Sequence, residues 1–182
     1  MCDYRSARQP QTVEPGQIWL VEQAPAWPLS AVDRDALTSA NVVIYDRALA
    51  PVVAQVLPIG GYAEPLSATG HAAGPAISPR ALALAHEGWS VAQLVEASPS
   101  RRSRMGILPP ALLRAGRAGD LPVRVIVKAA ADRCRVLDVG LDELPEFLNE
   151  FGRDELLTLV FGTVTARNAA QAHAYTANGL AG

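Results

Sequence analysis

The chain has 182 residues, enough for one domain or two small ones. Apolar residues make up 49 % and aromatics only 5 %, so a core is permitted but must be built from Ala, Val, Leu and Ile. With a formal net charge of -2 and an isoelectric point near 5.9, the totals show no basic excess, a weak argument against nucleic acid as the main partner.

Residues 1–15 are polar and include Arg5, Arg8, Pro10 and Pro15; they read as a flexible arm. Gly16 to Val21 predicts a short buried strand, followed by a connecting segment from Glu22 to Pro28. Asp33 to Ala40 predicts a short helix capped by Ser30 or Asp33. Val42-Val43-Ile44-Tyr45 is a β-branched and aromatic run of the kind buried in a parallel sheet. Asp46 follows it directly, where strand ends face ligand crevices in open α/β sheets. Two roles are open for Asp46, a ligand contact or the N-cap of the next helix. That helix spans Leu49 to Leu57 and is stopped by Pro58 and Gly60-Gly61.

Ile59 to Leu66 holds a brief strand, and Ser67 to Pro79 reads as an exposed Gly/Pro-rich loop in which His71 is a solvated residue in preference to a functional base, no partner residue standing near it in sequence. Pro79 to Glu87 predicts a helix with Pro in its first turn and Gly88 as its stop. Ser90 to Val95 is a strand. Leu108 to Asp120 is a helix, Pro122 to Ala129 a strand, and Arg133 to Val139 an alternating strand paired with it. Leu141 to Phe151 is a helix and Leu156 to Val164 the final strand. The Ala-rich residues 165–182 form a tail, with His173 at its surface. The organisation is therefore α/β: an arm (1–15), an N-terminal Rossmann-like half (16–104), a smaller C-terminal α/β half (105–164) and a tail (165–182).

Metal and disulfide chemistry are not expected. Cys2 and Cys134 are the only cysteines, no CxxC or Cys/His spacing occurs, and His71, His86 and His173 form no ligand pair. The motifs GxSxG, HExxH, Walker A and GxGxxG are absent. The N-terminus is polar and charged through Gln17, with no signal peptide, and no apolar run approaches a membrane span. The expected setting is the cytoplasm, away from membranes.

Leu37, Ala40, Val42, Val43, Tyr45, Asp46, Arg47, Leu49 and Pro51 fall in a run, AL-x-x-A-[DN]-VVIYDRAL-x-P-x-V, that resembles the first βαβ unit of the tetrapyrrole (corrin/porphyrin) methylases, the family of uroporphyrinogen III C-methyltransferase. Asn41 stands where that family usually has Asp. Ala85, Glu87, Gly88, Val91 and Leu94 resemble a second run of the family, and the strands at Pro122 and Leu156 and the helix start near Leu141 resemble its C-terminal part. The resemblance covers Gly16 to Val95 and Leu108 to Val164, with the piece between apparently deleted. It implies a parallel-sheet three-layer N-terminal half, S-adenosylmethionine bound between the halves, and a homodimer.

The departures concern the cofactor. After its first strand the family has a GxGPGD turn, whose glycines let backbone amides approach the ligand. Here the segment is Glu22-Gln23-Ala24-Pro25-Ala26-Trp27-Pro28, with no glycine and with Trp27 in place of the acidic residue. A later GDP turn is replaced by Ala97-Ser98-Pro99. By position in the family pattern, Pro25, Trp27, Asp46, Pro99 and Ala130 would contact cofactor. Arg101 and Arg102, with Arg104, would either bind tetrapyrrole carboxylates or form a solvated linker. Methyl transfer relies on positioning more than on acid/base groups, so no catalytic residue is assigned. The expectation is a degenerate relative that has lost S-adenosylmethionine and methyl transfer and binds a small ligand or a partner protein. Two alternatives stand beside it: an active C-methyltransferase with a rebuilt site, and a structural or assembly dimer whose crevice is filled by side chains such as Trp27.

Overall fold

A computed structural model describes residues 12–24, 27–66, 77–97, 122–129, 133–140, 143–148 and 155–162. In chain order the elements are β1 (Ile18–Gln23), α1 (Ala31–Ser39), β2 (Val42–Tyr45), a 3-10 turn (Arg47–Leu49), α2 (Ala50–Val56) and β3 (Tyr62–Pro65). They continue with α3 (Pro79–His86), β4 (Val91–Glu96), β5 (Pro122–Ala129), β6 (Arg133–Gly140), α4 (Leu144–Leu148) and β7 (Leu156–Phe161).

The strands form one sheet in the order β3-β2-β4-β1-β7-β5-β6. Strands β3, β2, β4 and β1 are mutually parallel, whereas β7 pairs antiparallel with both β1 and β5, and β5 with β6. The α/β expectation is met, and the C-terminal strands extend the same sheet rather than building another. Strand alternation explains the layers. Ile18, Leu20, Val42, Ile44, Val91, Val123 and Leu159 share one face with Leu82 of α3 and with Leu144 and Leu148 of α4. Trp19, Val21, Val43, Leu94 and Ile126 share the other with Ala36 and Leu37 of α1 and Val53 of α2. Both faces of the central strands are thus buried, which is why VVIY reads as an unbroken apolar run.

Local chemistry sets the helix ends. Ser30 caps α1, its Oγ accepting the Asp33 N–H at 3.1 Å. Ser78 caps α3 through the Ala81 N–H at 3.0 Å, with Pro79 at the first helical position. Gly88 ends α3 at φ 91, with Gly88 N–H donating to Ala85 O and Trp89 N–H to Leu84 O, both at 3.0 Å. This is the paired bonding of a left-handed glycine stop, and the expectation for Gly88 holds.

Some boundaries differ from the expectations. The first helix begins at Ala31, not Asp33, because Ser30 takes the cap and Asp33 falls in the first turn. The second begins as a 3-10 turn at Arg47 before α2. Strand β1 starts at Ile18 and runs through Glu22 and Gln23, two residues past the expected end at Val21. The described part of the helix expected over Leu141–Phe151 is Leu144–Leu148. The helix expected over Leu108–Asp120, His71, the tail with His173, and Cys2 lie outside the described residues. No helix among the described residues is long and apolar enough to cross a membrane.

Candidate functional site

The C-terminal ends of β1, β2 and β4 form the edge after which the described expected ligand residues, Trp27 and Asp46, follow. Parallel pairing aligns Val21 with Leu94 and Tyr45 with Leu94, so the residues after these positions come out side by side. Asp46 lies at the end of β2. It occupies the cap position of the 3-10 turn, but its side chain makes no cap bond there. Instead its Oδ2 accepts the Glu96 N–H at 2.9 Å, and its own N–H donates to Leu94 O at 2.9 Å. The carboxylate therefore fastens β2 to the end of β4, a role that neither sequence reading foresaw.

The segment after β1 is held just as closely. Gln23 is 1 % exposed, and its Nε2 donates to Ala24 O at 2.9 Å and to Trp27 O at 2.7 Å. The Trp27 N–H donates to Ala24 O at 3.0 Å, and Ala97 N–H to Gln23 O at 2.9 Å. Leu49 N–H donates to Asp46 O at 2.8 Å. The N–H groups of Trp27, Asp46, Leu49, Glu96 and Ala97 are thus all donated within the protein. In a glycine-rich ligand turn such amides point at the ligand; at this edge they close on one another.

Beneath this edge lies a buried ion pair. Lys128 of β5 and Asp33 of α1 meet at 2.9 Å with side chains 6 % and 1 % exposed. Lys128 Nζ also donates to Glu22 O at 2.8 Å. Asp33 Oδ1 accepts the Thr158 hydroxyl at 2.7 Å, and Oδ2 accepts the Ser30 hydroxyl at 2.6 Å. The carboxylate sits in the first turn of α1, where the helix dipole favours negative charge. Glu22 is equally buried, and its Oε2 accepts the Leu157 N–H at 3.1 Å, at the point where the β1–β7 ladder has ended. A charge taken out of water needs such partners, and here they come from β1, β5, β7 and the cap of α1.

Of the residues singled out from the sequence, Asp46 and half-buried Trp27 are brought to the same edge. Pro25, Pro99, Ala130, Arg101 and Arg102 lie outside the described residues. Lys128, Thr158 and Gln23 were missed, and the sequence suggests Asp33 only as a helix cap, not as the buried partner of Lys128 and Thr158. A signal existed for three of them: a lone Lys in VRVIVKA, a lone Thr in LLTLVF, and the Ser-x-x-Asp spacing of a capping box from Ser30 to Asp33. Among the described residues, no group of three or more His, Cys, Asp and Glu is arranged to hold a metal.

No protein-family model matches the sequence, and a search of curated proteins gives no match. Among solved structures the chain is similar to the uroporphyrin-III-C-methyltransferase of Thermus thermophilus, at 19 % identity and a TM-score of 0.37, over 81 % of this chain and 92 % of that one. It is also similar to cobalt precorrin-4 methyltransferase, a cobalamin biosynthetic enzyme, at 12 % identity and a TM-score of 0.30, over 80 % and 94 % of the two chains. Likenesses of this size carry no weight for activity, and the α/β assignment rests on the strand order itself.

Proposed function

We propose that this chain is a tetrapyrrole-methylase-like protein that has given up methyl transfer and serves as a binding protein. The observation that supports this reading is the internal hydrogen bonding of the described residues at the ends of β1, β2 and β4. No glycine occurs between Glu22 and Pro28 to admit a ligand to the backbone, and the Gln23 amide is tied to the carbonyls of Ala24 and Trp27. A cofactor seated on this backbone would have to displace bonds already made, each worth about 1 kcal/mol net. The decisive experiment is a calorimetric titration with S-adenosylmethionine, repeated with S-adenosylhomocysteine. Absence of heat at millimolar ligand, with no thermal shift, is expected. Micromolar binding would overturn the reading in favour of an active methyltransferase with a rebuilt site.

A second reading, in which a second copy of the chain is the partner, draws support from strand β6. It stands at the end of the sheet, spans eight residues, and leaves Val136 and Leu137 49 % and 37 % exposed. The opposite end, β3, is four residues long and closes on Pro65, a shape that resists pairing. Sedimentation analysis of the chain and of Val136→Glu tests this. A dimer dissociated by the substitution would support it, whereas a monomer in both cases would remove it.

A further inference from the structure

We infer that the buried Lys128–Asp33 pair is a latch through which the seating of β5 and β7 on the sheet fixes the start of α1 and the exit of β1. The inference stands apart from whether any ligand binds. It begins from who supplies the partners. The Asp33 carboxylate takes one bond from within its own helix cap, Ser30, and two from the C-terminal strands, Lys128 at 2.9 Å and Thr158 at 2.7 Å. These donors lie 95 and 125 residues away in sequence. Lys128 then reaches on to Glu22 O at 2.8 Å, the carbonyl of the penultimate residue of β1. One ammonium group thus holds both ends of the β1–α1 connection, the last turn of the strand and the first turn of the helix.

The geometry makes the latch selective. If β5 and β7 withdrew, Asp33 would be left as a buried carboxylate with only Ser30, and charge in that state drives local rearrangement toward water. The easiest element to move is the first turn of α1, which has no other buried charge to hold it. The parallel core is not tied in this way: β2 and β4 are paired with each other and with β3 and β1 through their own ladders. Stability inside a protein is not uniform, and a latch of this kind makes one segment report the state of another.

Hydrogen exchange of the full chain, read by mass spectrometry or NMR, tests the inference. In Lys128→Met, amides from Asp33 to Ala36 and that of Trp27 should exchange faster by on the order of a hundredfold, while those of Val43 and Ala92 keep the wild-type rate. Should Lys128→Met fail to fold, Thr158→Val removes a single donor and conserves shape. It should give the same selective pattern at roughly tenfold. An equal rise at all these amides would make the pair a general contributor to stability, and no change would make it a bystander; either result overturns the latch.

Discussion

Asp46 makes a simple point about single residues: a carboxylate at a strand end has backbone amides within reach as well as ligands. Its bond to the Glu96 N–H is solvent-accessible, so Asp46→Ala lets water replace the acceptor. A loss of about 1 kcal/mol in urea unfolding is expected, with Asp46→Asn closer to wild type because an amide oxygen can still accept. Gly88 is a backbone case. A methyl group there would meet nothing within 4 Å, so its φ of +91 alone decides the outcome. Gly88→Ala should cost about 1–2 kcal/mol, and a loss near zero in the same assay would mean that α3 can end otherwise. Arg80 is a contrasting surface case. Its guanidinium, hydrogen-bonded to Glu64 at 3.0 Å, is held more firmly in its charged form than usual, and it stays charged throughout the accessible pH range.

At the level of elements, β1 shows what was legible and what was not. Its apolar part and the whole of β2 could be read from β-branched runs, and the start and stop of α3 from Pro79 and Gly88. The last two residues of β1 could not, because Glu22 and Gln23 look like the beginning of a polar loop. They are strand because they pair with Val95 and Glu96 of β4, and because the Glu22 carboxylate accepts the Leu157 N–H, 135 residues on, partners that no local window contains. The same holds for the site. Asp46 could be picked out by its place after a strand, but its partner Glu96 is 50 residues away and becomes a neighbour only once β2 and β4 pair. Gln23 gives the test at this scale. Gln23→Leu keeps the volume and leaves the carbonyls of Ala24 and Trp27 without the Gln23 amide. A loss of about 1–3 kcal/mol is expected, with faster exchange of the Trp27 amide; an unchanged midpoint would mean that the turn closes without it.

At the scale of the molecule, the described sheet is joined through its last strand. Strand β7 lies between β1 and β5, so the parallel strands and the β5–β6 pair meet only through it within the sheet. Leu157 and Leu159 of β7 are buried in the same cluster as Ile18 and Leu20 of β1 and Val123 and Val125 of β5. The buried Lys128–Asp33 pair adds a polar tie across the same junction. A sheet built this way has no seam at which its two parts could separate without exposing apolar surface on both, at roughly 25 cal/mol per Å². The two parts should therefore unfold as one cooperative unit. Leu159→Ala opens a cavity beside both neighbours and should lower stability by about 2–5 kcal/mol. The urea transitions followed by tryptophan fluorescence, with Trp19 buried in β1, and by far-ultraviolet circular dichroism should coincide before the substitution and move together after it. Two transitions, with only one of them displaced, would show that the antiparallel strands are an independently folding part; the polar tie would then join two domains rather than stabilise one.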